Sequence, residues 1–249
     1  MKKRLKLNIF WLVLLLAIYG VLYAAYSSGL VNLFIDNIIV TIGINIILAV
    51  GLNLVIGFSG QFSLGHAGFM AIGAYCGSLF AMNNPTMGGF FTGIVVGILL
   101  SSVVALVVGI PTLRLKGDYL AIATLGVAEI IRIAIVNMES ITNGPSGLFG
   151  IPSFVNWPLV YGFVIVTTLI TVNYIHSGAG RVTMGIRDDE IAAESMGVNT
   201  TKYKVIAFVI GAATASIAGA LSASYIGSIA PKNFAFQKSI DILIIVVFG

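Results

Sequence analysis

The chain has 249 residues, of which 58% are hydrophobic and 9% charged, with a formal net charge of +4 and a mean hydropathy of +1.05. A soluble globular domain carries about 25% charged residues, so no soluble fold covers this much apolar surface. The cations sit at the ends of apolar runs, which excludes the basic face of a nucleic-acid binder, and the lone Cys76 excludes a disulfide framework within one chain.

These bounds predict an all-α, polytopic transmembrane helix bundle forming one domain over residues 1–249. A helix crosses the hydrocarbon core with about 20 apolar residues. In chain order, complete spans are expected at Leu7–Tyr26, Leu33–Phe58, Phe62–Met82, Gly89–Leu113, Tyr119–Val136, Pro158–Ile175 and Val205–Ile226. An eighth starts near Ile240 and is cut at Gly249, so the expectation is seven complete spans, the start of another, and a C-terminal truncation. The boundary between the second and third is the least marked. The N-terminal run also has signal-peptide features, but its apolar part exceeds the usual h-region of about 7–15 residues. A retained first span is therefore expected.

Loop cations set orientation. With the N-terminus in the cytoplasm, the inner segments hold Lys2, Lys3, Arg4, Lys6, Arg114, Lys116, Arg181, Arg187, Lys202 and Lys204, and the outer ones hold Lys232 and Lys238. The asymmetry predicts a multi-pass protein with its N-terminus and its charged island on the cytoplasmic side.

After the sixth span comes an island of charge, SGAGRVTMGIRDDEIAAESMGVNTTKYK, over 177–204. Asp188 and Asp189 suit a helix start, EIAAESM favours helix, and Gly197 is a natural stop. Asn199, Thr200 or Thr201 then caps the helix that enters the seventh span. A short cytoplasmic helix over 188–196 is expected, with Ile191 and Met196 as its apolar side and Ala192 and Ala193 small enough for close approach. The plainer alternative is a solvated loop with a surface helix.

Polar residues inside spans are costly and face the bundle interior. Glu129 and Arg132 share a helical face in the fifth span, either as an internal ion pair or as a pair lining a path. The Gly- and Ser-rich stretch 57–69, with Gly60, Gln61, Ser63 and His66, is either a short turn or a broken helix whose amides face an anion. These six residues are the candidates for a substrate path. In the seventh span, Gly211, Ala215, Gly219, Ala223 and Gly227 recur at every fourth position and form a packing ridge, within the chain or between subunits. Asp36 and Asp241 fall near outer ends, where solvation is expected. The loop from Met138 to Trp157 carries Asn143, Gly144, Pro145, Gly147 and Gly150, which suggests an ordered turn-rich loop and a candidate docking surface.

No catalytic or metal constellation is present. There is no G-x-S-x-G and no H-E-x-x-H, and His66 and His176 belong to separate spans. An enzyme is not expected. No G-x-x-x-x-G-K-[ST] phosphate loop occurs either, so any ATP is hydrolysed on another chain.

The pattern Ala192-Ala193-x-x-x-Gly197 resembles the cytoplasmic loop motif of ABC importer permeases, with Asp189 and Glu190 just ahead of it. It departs from the general motif in having Ile191 where Glu directly precedes the two alanines. Three further segments, GLNLVIGFSGQFSLGHAGFMAIGAY (51–75), LRLKGDYLAIATLGVAEIIRI (113–133) and ITNGPSGLFGIP (141–152), are similar to signatures of the branched-chain amino acid ABC permease family, in the second of its two permease types. The resemblance covers about 35–249. It implies a permease subunit of an ATP-driven importer that works by alternating access. Its implied partners are ABC ATPase subunits carrying ATP and Mg, a second permease subunit, an extracytoplasmic solute-binding protein and the surrounding lipids. The implied coupling residues are Asp189, Glu190, Ala192, Ala193 and Gly197. Permeases for urea or short amides look similar. An ion-coupled secondary transporter is the rival from another class, and a membrane scaffold is a more distant third.

Overall fold

A computed structural model describes the backbone of residues 2–115 and 117–248, and the side chains of 13–115 and 117–248. Lys2, Lys3, Arg4, Lys6 and Lys116 of the orientation argument lie outside the described side chains, as does Gly249. The chain divides into two compact units, one up to Thr41 and one from Ile42 on.

In the first unit, α1 (Lys2–Ser27) ends in a turn at Gly29, whose φ is +72°. The Tyr26 hydroxyl donates to the Asp36 carboxylate. Asp36 is thus bonded by a neighbouring side chain. Asn32 accepts from the Ile35 amide at 2.9 Å and starts the next helix, α2 (Leu33–Asn53).

Past Asn53, α2 continues as one π-helical turn, Leu54–Phe58, so the expected second span matches Leu33–Phe58. The third expected span does not run as written. Residues 59–65 are non-helical, and α3 covers His66–Asn83. The reason lies in GFSGQFSLGH: Gly60 takes φ +69°, a left-handed conformation that ends a helix. There follow α4 (Met87–Thr112), α5 (Asp118–Asn137), a single turn α6 (Glu139–Thr142), a 3-10 turn (Gly144–Ser146) and β1 (Leu148–Phe149). Then come α7 (Trp157–His176), α8 (Gly178–Asp188), α9 (Glu190–Ser195) and α10 (Thr200–Ile226). The chain closes with β2 (Ser228–Ile229), a 3-10 turn (Pro231–Phe234) and α11 (Phe236–Phe248).

Among the described residues, 5 helices are long and apolar enough to cross a membrane: Leu33–Phe58, Met87–Thr112, Asp118–Asn137, Trp157–His176 and Thr200–Ile226. The expected count of seven is therefore reached only by adding α1, whose described apolar stretch is Val13–Ser27, and α3. Helix α3 is less apolar than these five for a physical reason. It is buried without a break from His66 to Tyr75, so it meets other helices on every side and is built from small residues rather than lipid-facing ones.

The core of the second unit is α3 packed between α4 and α10. A methyl group placed on Gly73 would lie 1.9 Å from the Ser216 carbonyl oxygen of α10, and one on Gly219 would lie 2.0 Å from that of Met70. Gly211 faces Val55 and the Gly51 carbonyl, and Ala215 and Ala223 are fully buried. The small-residue ridge thus packs within this chain. Gly227 is not part of it: with φ +77° it is the left-handed stop of α10. Ser101 of α4 donates to the Ala212 carbonyl at 2.9 Å, and Phe69 meets Phe208 edge to face at 5.5 Å.

At the far end of α10, β1 and β2 pair antiparallel, Leu148 with Ile229 and Phe149 with Ser228. The Ile151 amide donates to the Gly227 carbonyl at 3.0 Å, and Ser224 donates to the Pro152 carbonyl at 2.8 Å. The loop after α5 is therefore stitched to the loop after α10. The two helices end at the same side of the bundle, as alternating spans require.

Candidate functional site

The charged island occupies the opposite end. Ser177 caps α8 by accepting from the Gly180 amide at 3.1 Å, and the Tyr174 and Thr183 hydroxyls are bonded at 2.7 Å, fastening α8 to α7. Gly180, Thr183 and Ile186 form the buried side of α8. This helix was not anticipated. The expected helix 188–196 is corrected to two elements: Asp188 closes α8, and Asp189 is extended and caps α9 by accepting from the Ala192 amide at 3.0 Å.

Helix α9 spans Glu190–Ser195 and buries no residue of its own. Ile191 is 72% exposed and Met196 85% exposed. Gly197, at φ +82°, ends it, and the Val198 amide donates back to the Ala193 carbonyl at 3.1 Å. Of the three caps considered for the next helix, Asn199 is the one used, accepting from the Lys202 amide at 3.0 Å. Two side-chain ties hold α9 to α10. Lys204 Nζ lies 2.6 Å from Glu190 Oε1, and Thr200 donates to Glu194 at 3.0 Å. The result is a short helix presented on two capped hinges, its apolar side chains facing outward.

The segment 57–65, which is the end of the π-helical turn and the non-helical residues after it, lies directly behind this loop. Arg187 Nη1 donates to the Gly57 carbonyl at 2.9 Å, while its other nitrogens reach Asp188 Oδ1 at 2.7 and 3.0 Å. Its stem lies on Gly60, where a methyl group would come within 2.7 Å of Arg187 Cγ. Gln61, 2% exposed, donates to the Lys204 carbonyl at 3.1 Å and to the Ser59 hydroxyl. Ser63 accepts from the Gly65 amide at 3.3 Å. His66 is buried and faces Gly211. Gly60 and Gln61 are thus brought to the charged island, whereas Ser63 and His66 lead inward to α3.

Glu129 and Arg132 form an ion pair in α5, with Arg132 Nε 2.9 and 3.0 Å from the two carboxylate oxygens. It is not internal to this chain. The Arg132 and Glu129 side chains are 26% and 45% exposed. The buried face of α5 is instead Leu120, Ala121, Thr124, Ala128, Ile131 and Ile135. In an apolar medium a charged pair on an open flank calls for water or a polar neighbour.

At the ladder end, Pro145, Ser146, Phe149, Ser228, Lys232 and Asn233 help line a groove of about 340 Å³. No group of three or more potential metal ligands occurs among the described residues. The sequence offered no signal for the Arg187 and Gln61 contacts, because both go to backbone carbonyls, which any residue supplies.

A family model described as branched-chain amino acid transport system / permease component matches residues 34–249. The chain is 39% identical over 216 residues to the high-affinity branched-chain amino acid transport system permease protein LivM of Salmonella typhimurium, a match covering 73% of this chain and 50% of that protein. It is 36% identical, over the same shares, to the protein of that name in Escherichia coli K12. The probable branched-chain amino acid transport permease protein LivM of Methanocaldococcus jannaschii is 26% identical over 171 residues, 62% of this chain and 50% of that protein. The chain spans about half the length of the curated relatives it matches. No solved structure matches it significantly.

Proposed function

Because this chain belongs to the branched-chain amino acid transport system permease family, we propose that it is a permease subunit of an ATP-driven importer for branched-chain amino acids. ATP and Mg reside on separate ATPase subunits, a second permease completes the path, and an extracytoplasmic binding protein delivers substrate. The protein sits in the bacterial inner membrane with its N-terminus in the cytoplasm. The groove beside Lys232 is the docking place for the binding protein.

The observation that carries this reading is α9. A helix this short is unstable alone in water. Here it is capped at both ends and tethered through Glu190 and Glu194, with Ile191 and Met196 left open. That geometry suits a cleft in a partner. Asp189 and Gly197 fix its ends, Glu190 anchors it, and Ala192 and Ala193 admit close contact. When the ATPase pair closes, α9 moves with it and the spans change which side is open. Glu129 and Arg132 suit a path for a zwitterion, since one attracts an ammonium and the other a carboxylate.

Ser195 lies on the exposed side of α9. A Ser195→Cys protein in a Cys76→Ala background is expected to resist an impermeant thiol reagent in intact cells. It should label readily in opened membranes and be shielded once the ATPase subunits bind. Labelling from outside, or labelling that ATPase binding leaves unchanged, would overturn the proposal.

A further inference from the structure

The break in the second unit does more than join two helices. Its first residues touch both ends of the charged loop: Arg187, at the close of α8, bonds the Gly57 carbonyl and rests on Gly60, and Gln61 bonds the Lys204 carbonyl at the start of α10. Lys204 in turn holds Glu190 of α9. Its last residues touch α5. The Leu64 amide donates to the Thr124 hydroxyl at 3.0 Å, and a methyl group on Gly65 would lie 2.9 Å from the Thr124 carbonyl oxygen. In the first turn of α3, which follows directly, one on Gly68 would lie 2.7 Å from Ala128 Cα. Ala128 directly precedes Glu129.

From these contacts we infer that residues 57–65 and the first turn of α3 are a strut carrying displacement of α9 to the turn of α5 that bears the Glu129–Arg132 pair, with Arg187 and Gln61 as its positioning residues. The inference rests on the permease reading above.

Three features fit a moving part rather than a plain connector. Its first two residues, Gly57 and Phe58, close a π-helical turn, Leu54–Phe58, and such turns are frequent at functional sites. From Ser59 on it is non-helical, and one side of it is buried: Ser59, Gln61 and Ser63 are each 2% exposed while Gly60 and Phe62 between them are exposed, so that buried side cannot be displaced without moving its neighbours. Finally, Gln61 Oε1 and His66 Nε2 are buried without a hydrogen-bond partner in the protein, which leaves bonding capacity for a second arrangement. Rigid coupling also needs a stop at each contact. Gly60 and Gly65 in the segment and Gly68 in the first turn of α3 supply it by letting backbone or side-chain stem touch backbone directly.

The test uses the full-length permease assembled with its ATPase subunits and second permease in proteoliposomes, with leucine delivered by the binding protein. Arg187 is half-exposed, so Arg187→Ala should fold, assemble and keep basal ATP hydrolysis. Substrate stimulation of hydrolysis and uptake should both fall about tenfold, inside the 5–150-fold range typical of coupling between sites. Arg187→Lys, which keeps a stem over Gly60, should restore part of the stimulation. Gln61→Leu should lose stimulation similarly, and the double variant no more than the worse single one. Wild-type stimulation in assembled Arg187→Ala and Gln61→Leu proteins overturns the strut. So does a loss of stimulation that merely tracks lost assembly. If instead the wild-type protein binds no ATPase, the permease reading itself fails.

Discussion

Helices α9 and α10 are neighbours in the chain and opposites in packing. Helix α10 brings Gly219 against the Met70 backbone and buries most of its small residues among α3 and α4. Helix α9 buries nothing and is defined by an aspartate cap, a left-handed glycine and two side-chain tethers. The first is fixed by shape, so a single atom too many disturbs it. The second is fixed by end groups and left open to a partner. On the permease function proposed above, the first would be the body that moves and the second the handle by which it is gripped.

The largest effect should come from breaking the shape-fixed region. Gly219→Val places carbon where the Met70 carbonyl stands, 2.0 Å from the new Cβ, so backbone must shift. A loss of about 3 kcal/mol or more is expected, seen as collapse of the monodisperse fraction on size exclusion. Gly126→Ala, with nothing within 4 Å of the new methyl group, is the matched control and should leave the profile unchanged. Equal behaviour of the two would mean that the core is not close-packed at α10.

The Glu129–Arg132 pair lies between the two regimes, bonded but open on one side. Glu129→Gln and Arg132→Gln should each lower the melting temperature in detergent. The double variant should lose less than their sum, with an interaction of roughly 0.5–3 kcal/mol. Strict additivity would remove the pair as a structural unit.

The smallest effect belongs to the handle. Asp189→Ala removes one cap, worth about 1 kcal/mol, and the global melt should stay unchanged because α9 has no share in the core. Hydrogen exchange should quicken at the α9 amides alone. Faster exchange spreading into α10 would show that the two regions are not independent.

Much of the architecture was legible in the chain. Apolar runs of about 20 residues announce helices whatever they pack against, because the bilayer demands internal backbone bonding. Asp188 and Asp189, Gly197 and the run Asn199–Thr201 announced a short helix and the start of the next, because capping is a local matter of side chain to nearby amide, but which aspartate and which of the three residues cap was settled only by the structure. The ion pair was readable from its spacing, but its place on an open flank was not, since that depends on which face of α5 its neighbours cover. Helix α8 was hidden because SGAGRVTMGIRD carries three glycines, and only packing of Thr183 and Ile186 against the bundle makes it helical.

What the sequence by itself determined was therefore the membrane class, the end at which charge gathers and the local stops and starts of most helices, all consequences of composition and short-range bonding. Tertiary structure alone decided that the small-residue ridge of α10 is spent within this chain and that the segment 57–65 stands between the charged loop and α5. Each of these depends on contacts to backbone atoms far away in the chain. Every residue has the same backbone, so no side-chain pattern can announce them.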